Sequence, residues 1–370
     1  MNSPFQKLLM VYILWSAAWT PTASFLYLYF HNGGLAIQDV FFVAAFVYLG
    51  ALLTIPLFRG FGVRDFMLAG IALSVISILA LIALPMPIAP YAHMFLSGTT
   101  CFLFWVPFNV AYYEFRKGNN AQLGAIYYSI GPILSLAIPA LGGLFAESFG
   151  FTALFSVSLA LFAVAAAATF KFVENRKYTY SFIGSLRAIS GLKTMVFLEG
   201  FAAAVIVAVT LGVMLLQFTD KPSEFGILSS LVTVFAVAAT LVTAKISDKL
   251  QRRRELILPL VACFAASAIF AGWGWAQGLV LFLLGYGLVN FFSRIFFPLP
   301  FALCVDNSKN LASTMVGREI MLNLGRLSGV IFGYVILISI SIEAALIAQG
   351  LVLLLYIPLF ENRKKKLQRH

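Results

Sequence analysis

The sequence predicts an all-α membrane protein of twelve transmembrane helices in two pseudo-symmetric six-helix bundles, on three observations. Hydrophobic residues make up 61% of the 370-residue chain and charged residues only 11%, far from the usage of a soluble domain. Apolar runs recur along the chain, each near the roughly 20 residues that a bilayer span needs. The least hydrophobic stretch, residues 171–193, lies near the middle, with about six runs before it and six after.

The runs fall at roughly 8–30, 37–57, 66–85, 91–113, 122–145, 151–172, 194–217, 225–244, 256–276, 278–301, 311–338 and 342–360. Residues 1–172 then form the first bundle, 173–193 a cytoplasmic connector, 194–360 the second bundle and 361–370 a basic tail. Within the connector, Tyr180, Ile183, Leu186 and Ile189 alternate with Lys177, Arg187 and Lys193 as in a short amphipathic helix lying at the interface. No small-residue cleavage site follows the short N-terminal segment, so the first run reads as a retained span.

Orientation follows from Lys and Arg. With the N-terminus inside, the inner loops hold Lys7, Arg59, Arg64, Arg116, Lys117, the connector, Lys245 to Arg254, Lys309 and the tail. The outer loops hold only Lys221, beside the acids Asp39, Glu147, Asp220, Glu224 and Glu343. This is the positive-inside pattern, which puts both termini in the cytoplasm; the expected location is a plasma membrane, the inner membrane of a bacterium. The same pattern accounts for the net charge of +11, so the partner is a lipid bilayer and not nucleic acid. Cys101, Cys263 and Cys304 are scattered through apolar runs without disulfide or metal-ligand spacing.

The first span carries Trp15, Trp19, Thr20, Thr22, Ser24 and Tyr27 around Pro21. These residues read either as aromatic packing or as a cavity wall that shows hydroxyls and ring faces to a solute. The fourth span places Trp105 and Asn109 in an apolar run, and a buried amide must find a partner or face water. The fifth carries Tyr128, Pro132, Pro139, Gly142 and Gly143. Prolines survive in a span where neighbours or a cavity satisfy the freed carbonyls.

The tenth and eleventh spans hold the costly residues, Asn290 and Arg294 in one, Arg318, Glu319, Asn323 and Arg326 in the other. At about 100° per residue, Glu319, Asn323 and Arg326 share a helix face. Gly325, Gly329 and Gly333 form an adjacent ridge suited to close helix contact, and Ile320, Leu324, Leu327 and Ile331 are expected to face lipid. A charge at the centre of a bilayer costs about 2.5–3.5 kcal/mol on lenient scales, so these groups bind, couple or pair. The pairing reading joins Glu319 to Arg294 or Arg318. Glu199, near the inner end of the seventh span, reads first as a snorkelling interfacial acid and second as a protonatable coupling group.

Six spans, a basic connector, six spans and cytoplasmic termini resemble the major facilitator superfamily. That family's loop between the second and third helices of each half carries Gly-x-x-x-Asp-Arg/Lys-x-Gly-Arg/Lys-Arg/Lys. In the second half Asp248, Lys249, Arg252 and Arg253 match it, with Ala244 and Gln251 at the glycine positions. In the first half only Gly60, Gly62 and Arg64 remain, and the aspartate is missing. The exporter-type fifth helix of that family ends in Gly-Pro-x-x-Gly-Gly; Pro139, Gly142 and Gly143 match, with Ile138 in place of the glycine.

The resemblance implies two bundles that rock about a midplane site and open it to alternate sides. It projects Trp19, Thr20, Ser24, Trp105, Asn109, Tyr128, Asn290, Arg294, Glu319 and Arg326 toward a central cavity, and it implies a monomer. The expected function is secondary transport of a small organic solute driven by protons, with Glu319 or Glu199 as the coupling acid. Antiport efflux of an amphipathic or aromatic compound is the first reading. Transport of an organic anion on the cationic strip of the tenth and eleventh spans is the alternative. A membrane-embedded enzyme finds no support, because the chain has no His-Glu-x-x-His, Gly-x-Ser-x-Gly or phosphate-cradling loop, and only His31, His93 and His370. No cofactor or metal is expected. A non-transporting sensor of the same fold is the remaining reading.

Overall fold

A computed structural model describes residues 3–115, 120–247 and 253–367. Among these described residues, eleven helices are long and apolar enough to cross a membrane, and a bent helix pair makes a twelfth. The first half comprises α1 (Pro4–Asn32), α2 (Ile37–Phe42) with α3 (Ala45–Thr54), α4 (Val63–Ala83), α5 (Ala89–Tyr113), α6 (Asn120–Phe149) and α7 (Phe151–Phe172). The second span breaks between α2 and α3 and ends in a 3₁₀ turn.

The connector departs from the expected interfacial helix. It opens with a strand and then forms α8 (Phe182–Ala188), only seven residues long. Tyr180 precedes α8 and is buried, Ile183 is exposed, and Ile189 is buried after the helix ends. The apolar spacing read as one amphipathic face is therefore shared between an extended segment and a helix, both docked on protein. Strand β1 (Gly60–Gly62), from the loop before α4, pairs antiparallel with β2 (Lys177–Thr179) of the connector.

The seventh span starts after a 96° bend from α8 and runs as α9 (Lys193–Ala203), a π-turn (Ala204–Val209) and α10 (Thr210–Leu215). There follow α11 (Pro222–Ser247), α12 (Arg253–Gln277), α13 (Leu279–Phe296) with α14 (Pro298–Asp306), α15 (Leu311–Ser339), and α16 (Ile342–Leu353) with α17 (Tyr356–Leu367). The break between α13 and α14 falls at Pro298, which lacks an amide hydrogen to continue the ladder.

Local chemistry sets the ends. Ser3 and Gln6 form a reciprocal capping box at α1, and Asn310 and Ser341 cap α15 and α16 through their side-chain oxygens. Gly150 and Gly278 turn α6 into α7 and α12 into α13 at φ of 82° and 127°, which disfavours any side chain.

The halves meet along two seams, α6 with α11 and α15 with α3 and α5. At the first, a Cβ on Gly143 would lie 2.3 Å from the Pro222 carbonyl, and one on Gly226 would lie 2.1 Å from that of Pro139. Glycine alone allows this approach. At the second, α15 also locks onto its own half. Added Cβ atoms on Gly325 and Gly329 would lie 2.0 and 2.1 Å from the carbonyls of Phe197 and Phe201 on α9, while Gly333 faces Phe41 and Val205. Opposite this ridge, Leu324 and Ile331 are exposed as expected, but Ile320 is buried in the protein.

Candidate functional site

Between the two seams lies a cavity enclosing about 750 Å³, counting its open mouth. Its walls come from both halves. Ser24 and Tyr27 of α1, with Pro132, Ser135 and Pro139 of α6, form one side. Gly212 of α10, Ser229 and Thr233 of α11, and Asn290 and Arg294 of α13 form the other. Spans one, five, seven, eight and ten thus converge on one space, with hydroxyls around it and one guanidinium.

Arg294 is the group without an answer. Its Nε is buried and lacks a hydrogen-bond partner, and no ion pair among the described residues includes it. The phenols of Tyr12 and Tyr128 are its electrostatic neighbours, and neither carries a negative charge at neutral pH. Asn290, one helical turn away, is occupied in donating to the Tyr286 carbonyl at 3.2 Å.

The other arginines are committed. Arg318 pairs with Glu199, joining α15 to α9, and both side chains are buried. The Arg318 guanidinium lies 4.5 Å from the centre of the Phe301 ring. Glu199 is therefore no snorkelling interfacial acid, because the close approach of α9 and α15 seals it inside the bundle. Glu319 does not pair with Arg294 or Arg318 either. Its Oε1 accepts from Asn323 Nδ2 at 2.7 Å and lies 3.6 Å from Arg326 Nη1. Arg326 in turn donates to Asn323 Oδ1 at 3.2 Å. This triad faces the first half, with Tyr48 under the Arg326 guanidinium and Cys101 within electrostatic reach. Among these five groups, three cations face two acids, which leaves one positive charge over.

Of the residues projected onto the cavity, Ser24, Asn290 and Arg294 line it. The aromatic ones are used elsewhere. Trp15 stacks on Phe104 at 4.5 Å and meets Trp105 edge-on at 4.7 Å. Trp19 stacks on His93 at 5.8 Å. Trp19 and Trp105 thus pack the seam between α1 and α5 and not the wall of this cavity. Thr20 donates to its own helix at Ser16, which consumes its hydrogen. Asn109 is buried, with its Oδ1 unpartnered. Tyr128 packs against Phe301, with the arginines as its electrostatic neighbours.

Contacts join the two halves on both faces of the bundle. Toward the connector face, Phe301 of α14 sits 5.0 Å from Tyr113 and 6.2 Å from Tyr127, across the two halves. Toward the far face, Phe25 meets Phe225 at 6.1 Å, and Glu147 accepts from the Ser223 amide at 3.1 Å. Pro139 lines the cavity, Gly142 abuts Phe25, and Gly143 forms the seam. Asp248, Lys249 and Arg252 lie outside the described residues, and Arg253 is described only as the start of α12.

Sequence reasoning offered Tyr27 with the first-span cavity wall but missed Ser135, Ser229 and Thr233. The signal was present for the last two, because hydroxyls four residues apart in an apolar span share a helix face.

Residues 189–369 match the family model of the Major Facilitator Superfamily. No curated protein matches the chain. Among solved structures, the human organic anion transporter MFSD10 superposes with a TM-score of 0.73 at 13% identity, covering 97% of this chain and 100% of that one. The E. coli fucose:proton symporter gives 0.70 at 11% identity, covering 97% and 98%. A bacterial homologue of the iron transporter ferroportin, in an outward-facing state, gives 0.71 at 14%, covering 98% and 100%.

Proposed function

From the match of residues 189–369 to the Major Facilitator Superfamily model and the fold of the whole length, we propose that the chain is a transporter of that superfamily and that it carries a small organic anion with an apolar or aromatic body. The observation that carries this reading is Arg294, a guanidinium in the cavity wall with no carboxylate of its own. A bound carboxylate or phosphate supplies the missing charge and accepts from the fork of the guanidinium. Because three cations face two acids, a monoanion balances the cluster. Hydroxyls of Ser24, Ser135, Ser229 and Thr233 orient the rest of the solute.

Glu319 is the proposed coupling acid. Glu199 is held in a buried pair within one half, whereas Glu319 stands at the seam where the halves must part. Protonation cancels its charge and frees Arg326 and Asn323. A bound anion and a proton on Glu319 attract one another, so they cross together. The proposed site is a plasma membrane, with the connector face in the cytoplasm.

A second reading is export of an amphipathic aromatic compound by proton antiport, supported by Pro139, Gly142 and Gly143 at the far-face seam. Reconstituted vesicles with a pH gradient of either sign, tested over aromatic carboxylates, their amides and aromatic cations, separate the two. In the anion reading, carboxylates accumulate with the proton flow and amides do not. Arg294→Gln abolishes uptake, and Glu319→Gln keeps exchange but loses accumulation. Uphill transport by Glu319→Gln would remove the coupling assignment, and flux of amides through Arg294→Gln would remove the anion.

A further inference from the structure

We propose that the connector is a latch. It holds the two halves together on its own face of the membrane, and that face opens only when the β1–β2 strand pair comes apart. The inference rests on the reading that the halves alternate, and it concerns none of the groups that bind solute.

One end of the connector is fastened to the first half. Beyond the strand pair itself, the Val63 amide donates to the Arg176 carbonyl at 2.9 Å, and the Tyr180 amide to that of Arg59 at 2.9 Å. The Tyr180 hydroxyl reaches the Ile55 carbonyl at 3.1 Å. Arg176 bridges Glu114, at the end of α5, and Glu174, and Tyr178 donates to Glu114. Burial, and then the neighbouring Glu114 carboxylate, push the Tyr178 phenol up, so it remains a donor at neutral pH.

The other end is fastened to the second half. The Ser185 carbonyl of α8 lies where a Cβ on Gly317 of α15 would sit at 2.1 Å, and Ile189 and Leu192 are buried behind it.

Between the two fastenings there is no slack. Tyr180 is the last residue tied to the first half, and Ser181 already caps α8 by accepting from Gly184. One extended residue spans only about 3.5 Å. Rocking the bundles apart on this face therefore releases one fastening.

The strand side is the weaker. It is a two-stranded pair of three residues each, marginal in water on its own. Its ion pairs are exposed, with Arg176 55% accessible, where such contacts contribute little. The α8 side is apolar and packed backbone to backbone.

The latch also accounts for the depleted loop of the first half. The residual glycines there serve strand pairing: a Cβ on Gly60 would lie 2.6 Å from the Tyr178 carbonyl. The loop holds its place through the connector where the missing aspartate would have acted.

The test uses the full chain and no solute. Gly62 and Lys177 face each other in the ladder at a non-hydrogen-bonded position, where side chains come closest. The atoms nearest a Cβ on Gly62 belong to the Asn175 side chain, which must swing away from Asp65 to admit it. Gly62→Cys with Lys177→Cys, once oxidised, fixes the pair. The readout is alkylation of Cys101, half-buried at the seam near Glu319 and Arg326, by a membrane-impermeant maleimide added on the connector side of sealed vesicles and followed by mass of its peptide. Oxidation should slow labelling by about tenfold or more, and reductant should restore it. Arg176→Ala, at an exposed position that folds whatever the cysteine pair does, should speed it. Equal rates in oxidised and reduced protein overturn the latch, as does an unchanged rate in Arg176→Ala. Either failure leaves the transport reading standing.

Discussion

Arg318 and Arg294 stand on neighbouring spans of the same half, and the membrane penalises both alike. Arg318 found Glu199, sealed where α9 and α15 touch through glycine. Arg294 found a cavity lined with hydroxyls and no acid. A membrane arginine is therefore structural or functional by virtue of its partner, and the partner is chosen by helix packing and not by neighbouring residues in the chain. Glu319, adjacent to Arg318 in sequence, serves Asn323 and Arg326 instead.

The largest effect should come from breaking the Glu199–Arg318 ion pair. Glu199→Gln leaves the Arg318 charge buried and costs about 3–5 kcal/mol, visible as a fall in melting temperature. Replacing both, with Glu199→Leu and Arg318→Met, should recover most of the loss. If the single change is harmless, the pair is not structural. Next comes the contact that seals it. Gly325→Ala forces a methyl to 2.0 Å from the Phe197 carbonyl, and separation of the helices should cost roughly 1–3 kcal/mol.

Arg294→Gln should do the opposite of Glu199→Gln. Removing an unpartnered charge leaves stability unchanged or higher, while the thermal shift given by an aromatic carboxylate is lost. Destabilisation by this change would erase the contrast between the two arginines. Smallest of all, Arg176→Ala should alter the melting temperature by less than about 1 kcal/mol equivalent, since its pairs are exposed. Its effect belongs to conformational kinetics.

The spans were legible in the sequence because a bilayer imposes length and apolarity on each segment separately. The ridge of Gly325, Gly329 and Gly333 was legible for the same reason, as a local period. Pairing was not. Glu199 and Arg318 are 119 residues apart, and only the crossing of two helices brings them together. Trp19 and Trp105 misled because an aromatic ring suits a cavity wall and a helix seam equally well, and only the neighbours decide. The connector misled through its spacing, since Tyr180 and Ile189 match a helical period while neither lies in the helix.

The π-turn at Ala204–Val209 gives the seventh span two ends with separate tasks. Below it, α9 is bolted to α15 through Gly200 and Gly325; above it, Gly212 of α10 lies against Tyr27 at the cavity wall. The wider turn inserts a residue and so offsets the phase of one end from the other by about 100°. The Tyr286 hydroxyl donates to the Ile206 carbonyl within that turn, which ties the offset to the tenth span. Deleting one residue there would leave the helix continuous and the bolted end in place, yet it would rotate Gly212 away from Tyr27 and bring a side chain into the mouth of the cavity.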